Sequence, residues 1–398
     1  MKKDILVINC GSSSIKFALI NPATGDAELT GLAEKLGLQD AFVTFKHANE
    51  KTVEQLPNGD HAAAMKAIIR QLTAFGLADQ VAAIGHRIVH GGEFFKATKL
   101  IDDSVIAAVQ ECCKLAPLHN PGHLLGIHSA IENFPGLPQT VVPDTAFHQT
   151  MPERAYLYAV PMSLYREHHV RRYGAHGTSH RFVSQEAAKM QGIPLESSAI
   201  IVAHLGNGAS ACAVLNGQSV DTTMGLTPLE GLVMGTRCGD IDANIFSYLT
   251  SVMGLDIAEI TEILNKKSGL LGLSELSNDC RELEEAAAKG HAGAKIALEI
   301  FCYRLAKHIA ALVVPMGRLD ILAFSGGIGE NSTFIRKRVM EQLGFLGLKL
   351  DDDANNACIR GKAGKIGAQG SSASALVINT NEELMIALDT AKLVGLIA

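Results

Sequence analysis

Short runs of apolar and β-branched residues recur along the chain and alternate with longer stretches in which apolar residues are spaced as on a helix. The short runs are typical of buried strands, and they lie at 5–8, 17–20, 81–84, 140–142, 199–203, 211–215, 321–324 and 376–378. Helical spacing predicts helices at 256–266, 279–289, 292–314 and 333–343. The third of these ends at Pro315, which cannot continue a helix. The alternation predicts an α/β fold with large mixed sheets.

Two segments, 7–18 and 202–213, share one pattern: a strand, a polar residue, a glycine with small neighbours, and a second strand. Each copy continues into a turn signal, Asn21-Pro22 before a glycine in the first and Asn216-Gly217 in the second, which is typical of hairpins. We therefore expect a β-hairpin in each half of the chain and infer that the halves derive from a duplicated domain.

Composition places the chain among globular proteins of about two domains. It has 398 residues, of which 47% are apolar and 19% charged, so enough apolar surface can be buried to offset the entropy cost of ordering. Glycine is in surplus, with 38 residues against roughly 28 expected at average usage. A net charge of −6 provides no basic surface for a phosphate backbone, so nucleic acid is not expected as a partner.

Cysteine usage and hydropathy predict a cytoplasmic location without membrane association. The eight cysteines are scattered with no C-x-x-C pair, in a chain too long to need disulfide staples, so we expect reduced thiols. The first apolar stretch is broken at Asn9-Cys10-Gly11, which predicts no signal-peptide core. No run reaches the roughly 18 apolar residues of a membrane span.

Three glycine-containing turns at predicted strand ends are candidates for phosphate binding. The turn at 206–211 fits the dinucleotide-binding fingerprint, but strand-like residues follow it where that motif requires a helix. No Walker A motif is present in the sequence. The alternative to a Rossmann site is a tight turn whose backbone N–H groups face phosphate oxygens. The first copy would add side-chain donors at Ser12, Ser13, Ser14 and Lys16, and the second would add Asn207. The third turn, 324–332, precedes a predicted helix, whose N-terminus would attract anions. Any one of these could be an ordinary turn, whereas together they favour a nucleotide site.

Nine motifs, in order along essentially the whole chain, resemble those of the acetate kinase family; they occupy 9–17, 86–92, 117–121, 144–148, 173–180, 204–208, 235–242, 326–331 and 380–383. The resemblance implies an actin-like ATPase fold with two duplicated ribonuclease-H-like domains. Each domain would hold a mixed five-stranded sheet flanked by helices, with a cleft between the domains. The N-terminal domain would comprise 1–146 plus 382–398, and a C-terminal domain, 147–381, would bind nucleotide and dimerise.

The activity implied by the resemblance is the ATP-dependent, reversible phosphorylation of acetate to acetyl phosphate by direct in-line transfer. ATP or ADP would bind with Mg²⁺, or Mn²⁺ in its place, and the partners would be acetate, acetyl phosphate and a second copy of the chain. Two alternatives stay open: a propionate or butyrate kinase of the same family, and a nucleotide-binding module of this fold without an acyl acceptor.

Catalytic roles follow from the resemblance and from the charge that must be neutralised when two anions meet. Arg87 and Arg237 match arginines that hold the carboxylate and stabilise the transferring phosphoryl group, and His176 would donate to that group. Asp144 follows a predicted strand, where α/β sites collect catalytic residues, and would orient Arg237, the substrate or metal-bound water. General-base work is unnecessary, because acetate is already ionised at pH 7.

The remaining site residues are carried over from the same motifs. Nucleotide contacts fall on Ser12, Ser14, Lys16, His204, Leu205, Gly206, Asn207, Gly208, Asp279, Cys280, Arg281, Gly327, Ile328, Gly329, Glu330 and Asn331. The acyl pocket and adjoining phosphate contact fall on Val89, Leu118, Ala175, Pro228 and His119. Asn9 and Glu382 match the metal positions.

Two features modify this interpretation. His119 and His123, like His176 and His180, are four residues apart, but glycine or proline inside each pair argues against a helix and therefore against a zinc site.

Many family members carry Phe where this chain has Ala175, so a longer acid could fit. A pocket discriminates one methylene by only about 1–3 kcal/mol, so selectivity between acetate and propionate should be modest.

Overall fold

The structure is a computed structural model that describes residues 3–11, 13–117 and 119–397. It has an α/β architecture. The strands are β1 (Asp4–Cys10), β2 (Ile15–Ile20), β3 (Ala27–Glu34), β4 (Phe42–His47), β5 (Glu50–Gln55), β6 (Val81–Ile88), β7 (Lys99–Leu100), β8 (Gln139–Pro143), β9 (Ala199–Leu205), β10 (Ala209–Leu215), β11 (Gln218–Thr222), β12 (Ile321–Ser325), β13 (Gly364–Lys365) and β14 (Ser374–Val377).

The helices are α1 (His61–Ala74), α2 (Asp103–Glu111), α3 (Asn120–Asn133), α4 (Glu153–Tyr156), α5 (Met162–His168), α6 (Gly177–Gln191), α7 (Ile245–Met253), α8 (Ile257–Lys266), α9 (Gly269–Ser274), α10 (Cys280–Ala288), α11 (Ala292–Val313), α12 (Gly326–Asn331), α13 (Thr333–Gln342), α14 (Asp352–Ala357) and α15 (Glu382–Leu393). Within the described ranges, none of these helices combines the length and apolar character needed to cross a membrane.

The contacts divide the chain into two compact units. The first, Met1–Phe147 with Asn381–Ala398, holds a sheet of eight described strands in the order β5-β4-β3-β2-β1-β6-β8-β7. Strand β1 is buried on both faces: Leu6 and Ile8 pack in the core shared with α1, whereas Ile5 and Val7 pack with residues of α15.

The second unit, His148–Thr380, holds a sheet of six described strands in the order β11-β10-β9-β12-β14-β13. All seven residues of β9 are buried. Helix α11 supplies a row of buried apolar side chains, among them Leu298, Phe301 and Leu305, which join the core with residues of β9 and β12. This packing leaves the turn after β9 at the end of a rigid, fully buried strand.

Both sheets contain the same five-strand arrangement, which confirms the duplicated hairpin predicted from the repeat. The order β3-β2-β1-β6-β8 corresponds to β11-β10-β9-β12-β14, and in each the first two pairings are antiparallel and the next two are parallel. The second hairpin turns at Asn216 and Gly217, both with positive φ, as an Asn-Gly turn requires.

The α/β class is confirmed, but the expectation of five strands per sheet is wrong in number. Strands β4, β5 and β7 extend the first sheet, and β13 extends the second. The additions lie at the outer sides of the sheets, where polar residues alternate with apolar ones or predominate, as in the largely exposed β5. Such segments lack the continuous apolar run of a buried central strand.

Candidate active site

In the first unit, three neighbouring parallel strands bring polar residues to one edge of the sheet. Strand β6 pairs in parallel with β1 on one side and β8 on the other, so their carboxyl ends meet. Asn9 lies near the end of β1, Arg87 near the end of β6, and Asp144 directly after β8. This is the edge at which open α/β sheets place their ligand sites.

The Arg87 guanidinium is fixed by a two-pronged interaction with Asp144. Its Nε and Nη2 donate to the two carboxylate oxygens of Asp144 at 3.1 and 2.5 Å, and its Nη1 donates to Asn9 Oδ1 at 3.3 Å. Asp144 is 1% exposed. Burial lowers the pKa of Arg87, but the Asp144 and Glu382 carboxylates outweigh it and hold that pKa above its usual value. The arginine is therefore a permanent, oriented positive charge.

The first turn of α15 supplies two carboxylates to the same unit. Glu382 Oε2 lies 3.8 Å from Arg87 Nε, which places the two predicted metal residues, Asn9 and Glu382, beside one guanidinium. Glu383 forms an ion pair with Lys16. Lys16 thus has a carboxylate partner that the sequence reasoning did not identify.

In the second unit, the turn between β9 and β10 lies beside an arginine and a histidine. The N–H of Gly206 donates to the carbonyl of Gly208 at 3.0 Å, which closes the turn. A Cβ placed on Gly208 would lie 3.5 Å from Arg237 Nη1 and 3.5 Å from His176 Nε2. One point next to the turn is therefore within hydrogen-bonding range of both predicted catalytic side chains.

Serine hydroxyls orient the histidines of this unit. His176 Nδ1 pairs with Ser210 Oγ at 2.9 Å, and His180 Nε2 pairs with the same oxygen at 2.8 Å. His204 Nδ1 pairs with Ser179 Oγ at 2.7 Å. Burial lowers the pKa of His180 well below its usual value. Because His176 uses Nδ1 for Ser210, its Nε2 is the nitrogen directed toward Gly208.

Arg237 itself is held by the chain around it. Its Nη1 donates to the Pro228 carbonyl at 3.1 Å and lies 3.5 Å from the sulfur of Met234. Burial lowers the pKa of this guanidinium, although arginine stays charged at neutral pH. Pro228, predicted for the acyl pocket, therefore contacts the predicted catalytic arginine directly.

A groove of about 880 Å³ lies next to the same turn. Predicted nucleotide residues of this unit lie in three segments, 204–208, 279–281 and 327–331, and each segment contributes to the lining. The contributing residues are Gly206, Asn207, Asp279, Cys280, Arg281, Gly327, Ile328 and Asn331. Asp279 is also the N-cap of α10 and accepts from the Arg281 N–H at 2.8 Å. The remaining lining residues are Asn278, Glu284, Ser332, Ile359 and Arg360. Ser332 is the last residue of the predicted turn 324–332, whereas the other four were not predicted. Asn278 adjoins the predicted Asp279, but Ile359 and Arg360 carry no pattern that could have marked them.

The third glycine turn differs from its prediction, because Gly326–Asn331 is itself the short helix α12. Glu330 folds back so that its carboxylate accepts from the Gly326 N–H and the Thr380 N–H, both at 3.0 Å. The Gly326 N–H therefore already has an anionic partner within the chain, and the second helix, α13, begins only after Ser332.

Both histidine pairs lie at the start of a helix, so the expectation that no helix forms there is wrong. His119 is the N-cap of α3 and His176 the N-cap of α6, with His123 and His180 inside the respective helices. Pro121 and Gly177 lie in the first turns, where backbone N–H groups have no partner within the helix, so these residues interrupt no hydrogen bond.

The remaining predicted residues are distributed over both units. Ser14, Val89 and His119 belong to the first unit; Leu205 and Gly329 belong to the second, as does Ala175, whose carbonyl pairs with His148 Nε2 at 3.0 Å. Ser12 and Leu118 lie outside the described residues.

Taken together, an α/β fold with repeated strand-turn-strand elements, two fixed arginines and a groove lined by glycine-rich segments defines a protein equipped for phosphoryl transfer. The sequence profile of the acetokinase family matches residues 4–388. The chain belongs to this family.

Individual relatives cover the full chain. The acetate kinase of Chromobacterium violaceum is 66% identical over 396 residues, which span 100% of both chains. The crystal structure of Porphyromonas gingivalis acetate kinase superposes with a TM-score of 0.94 at 42% identity and covers 98% of this chain and 100% of that chain. A propionate kinase from Francisella tularensis superposes with a TM-score of 0.93 at 47% identity and covers 97% and 98%.

Proposed function

We propose that this protein catalyses the ATP-dependent, reversible phosphorylation of acetate to acetyl phosphate by direct in-line transfer. The observation that carries the proposal is the full-length similarity to acetate kinases, at 66% identity for the Chromobacterium violaceum enzyme. The fixed arginines and the groove of the second unit support it.

The reaction requires charge neutralisation rather than proton transfer. An acetate oxygen attacks the γ-phosphorus while the bond between that phosphorus and the β–γ bridging oxygen breaks, and ADP leaves with the electron pair. Acetate is ionised at pH 7, so no base is needed. The main obstacle is the repulsion between two anions, which oriented cations reduce.

Arg87 and Asp144 form the substrate-orienting pair in this proposal. The two-pronged contact with Asp144 holds the guanidinium plane in one orientation, so that its electrostatic field is already directed when acetate binds. Because the charged group is already oriented, no free energy is needed to reorient it during the reaction. Asp144 thus acts on acetate through Arg87.

Arg237 and His176 act on the transferring phosphoryl group. Both reach the same point beside Gly208, and His176 offers Nε2 because Ser210 occupies its Nδ1. A donor that meets developing charge on a phosphoryl oxygen stabilises the transition state more than the ground state. The absence of a side chain on Gly208 leaves room for that oxygen.

The groove next to Gly206 is the proposed nucleotide site. Backbone from 206–208 and 327–329 would face the phosphates, and the start of α10 would face the ribose or base. The groove volume of about 880 Å³ lies within the range of small-molecule sites, roughly 300–1,000 Å³.

Mg²⁺, or Mn²⁺ in its place, would enter with the nucleotide. Asn9 offers the second lone pair of the amide oxygen that accepts from Arg87, and Glu382 offers a carboxylate. This oxygen donor set suits a hard cation that keeps most of its waters. The bound ion would neutralise charge on the β- and γ-phosphates.

A propionate kinase activity is the second candidate, favoured by the Francisella tularensis structure and by the small Ala175. That residue is 4% exposed and is part of the apolar core of its unit. In this proposal the small side chain leaves more room for a longer acid than the phenylalanine of many family members would, but a single methylene is discriminated only weakly, so acetate remains the proposed substrate.

We also propose a cytoplasmic homodimer formed through the second unit. Tyr248, Val252 and Ile257, on α7 and at the start of α8, are 62%, 61% and 73% exposed, and their burial against a second copy would favour association. All eight cysteines are free, as expected for a reducing compartment. Light scattering of the purified chain would give twice the chain mass of 42.2 kDa.

Trapping of acyl phosphate with hydroxylamine tests the activity. The purified protein, with ATP, Mg²⁺ and acetate, should form acetyl hydroxamate in step with ADP, and ADP release should stop when acetate is omitted. ADP release without acetate and without hydroxamate would instead indicate a nucleotide-binding module of the same fold.

A further inference from the structure

A network of three side chains surrounds the segment that follows β11. Arg172 Nη1 donates to the carbonyls of Thr222, Thr223 and Met224 at 2.9, 3.0 and 3.1 Å. Its Nη2 donates to Glu230 Oε1 at 2.5 Å. One guanidinium therefore holds the end of β11 and the carboxylate of a residue further along the same loop.

Tyr158 completes the network from the other side. Its hydroxyl donates to Glu230 Oε2 at 2.5 Å and accepts from the Leu226 N–H at 2.8 Å. Burial, followed by the Glu230 hydrogen bond, raises the pKa of Tyr158, so the hydroxyl keeps its proton and remains a donor. We name Tyr158, Arg172 and Glu230 the loop clamp.

The loop clamp encloses Gly225 so closely that no side chain fits there. A Cβ on Gly225 would lie 1.7 Å from Glu230 Oε2 and 2.3 Å from the Tyr158 hydroxyl. The Gly225 carbonyl accepts from the N–H groups of Tyr173 and Gly174 at 3.0 and 3.2 Å. The clamp thus joins two chain segments, 172–174 and 222–230, at one point.

Both segments lead directly to residues of the proposed active site. The first continues to Ala175 and His176. The second contains Pro228, whose carbonyl accepts from Arg237. The loop clamp lies outside the groove-lining set and reaches the reaction through the backbone that carries these residues.

We propose that Tyr158, Arg172 and Glu230 are positioning residues that set the distance between Ala175 and Pro228 and thereby determine how tightly, and how selectively, the acid substrate binds. This rests on the proposed function. A displacement of a substrate-positioning group by about 1 Å can cost roughly 10²-fold in rate. The nucleotide groove, which the clamp does not line, should be unaffected.

The test compares Tyr158→Phe with Tyr156→Phe. Both changes remove one hydroxyl and lie two positions apart. The Tyr156 ring packs on the Arg171 guanidinium, whose carbon is 3.6 Å from the ring centre, so its side chain takes no part in the clamp. The Tyr156 carbonyl, which accepts from the Arg172 N–H at 2.8 Å, is kept in the variant. We expect Y158F to raise the KM for acetate at least ~5-fold and to change the acetate-to-propionate ratio of kcat/KM at least ~3-fold. The KM for ATP should stay within about twofold. Y156F should change none of these values.

Glu230→Gln provides a second variant that keeps the shape of the side chain while weakening both of its hydrogen bonds. E230Q should raise the KM for acetate and should change the acetate-to-propionate ratio of kcat/KM in the same direction as Y158F. A purely structural role predicts a different result: kcat would fall with the folded fraction, and both KM values and the selectivity ratio would match the wild type. That outcome in Y158F and E230Q would overturn the proposal.

Failure of the proposed function has its own signature. If the wild type prefers propionate, the acetate assignment fails, but the clamp is tested equally well by the KM for propionate in the same variants. If the variants keep wild-type selectivity while the wild type phosphorylates acetate, the clamp proposal fails alone.

Discussion

Replacement of Asp144 by Asn should disable the Arg87 side chain while preserving the shape of the site. The carboxylate is 1% exposed and accepts two hydrogen bonds from the guanidinium. Asparagine keeps one acceptor oxygen but places an NH₂ group against a guanidinium N–H, so one charge-assisted bond is lost, worth about 1.5–3 kcal/mol. Because 18% of the Arg87 side chain remains exposed, water relieves part of the lost pairing. We expect the free energy of unfolding to fall by about 2 kcal/mol.

The effect on catalysis should be larger than the effect on stability. If Asp144 holds Arg87 in its reactive orientation, kcat for acetyl phosphate formation should fall at least ~10²-fold, comparable to the loss of one transition-state donor. The hydroxylamine assay gives kcat and KM for acetate, and urea denaturation gives the unfolding free energy.

Asp60→Asn is the matched control for this variant. Asp60 caps α1 in the same unit by accepting from the Ala63 N–H, and Asn is an equally good N-cap. D60N should keep wild-type kcat and stability. A D144N enzyme with kcat within about twofold of wild type would refute the orienting role of Asp144.

Three further predictions concern other parts of the two units. Arg237→Ala should lower kcat ~10²-fold or more with a smaller effect on the KM for acetate, and an increase in KM alone would contradict its role. Gly208→Ala should fold normally, because its Cβ would make only ordinary contacts at 3.5 Å, but kcat/KM should fall at least ~10-fold since the methyl group fills the space between Arg237 and His176; wild-type activity would argue against a phosphoryl group at that point. Burial lowers the pKa of His86 to about 4 from 6.5, so the folded state resists a proton that the unfolded state accepts. The contribution of His86 to the free energy of unfolding is therefore full above pH 6.5 and decreases as the pH falls toward 4. Between pH 7 and pH 5 the decrease is roughly 2 kcal/mol. His86→Gln should remove that share of the pH dependence in urea titrations, and an unchanged dependence would show that His86 does not titrate as described.

The central strands were predictable because they are buried on both faces. Strand β9 has no exposed residue, and such strands read as continuous apolar runs. Strand β5 is almost entirely exposed, so nothing in its polar sequence distinguishes it from a loop. Its place in the sheet depends on pairing with β4, a tertiary interaction.

The candidate site, like the fold, could be predicted only in part from the sequence. Glycine turns and arginines were identifiable as motifs, since their chemistry is local. The contact between Arg87 and Asp144 joins residues 57 positions apart and depends on the register of β6 against β8. The capping of Gly326 by Glu330 depends on the chain becoming helical at 326–331, which its three glycines do not favour.

Acetate as the preferred substrate is tested by comparing kcat/KM for acetate, propionate and butyrate, with ATP and Mg²⁺ and with hydroxylamine trapping of each acyl phosphate. The account predicts the highest value for acetate, with propionate lower by a modest factor, about 10-fold, as expected for one methylene. A higher kcat/KM for propionate or butyrate than for acetate would contradict it.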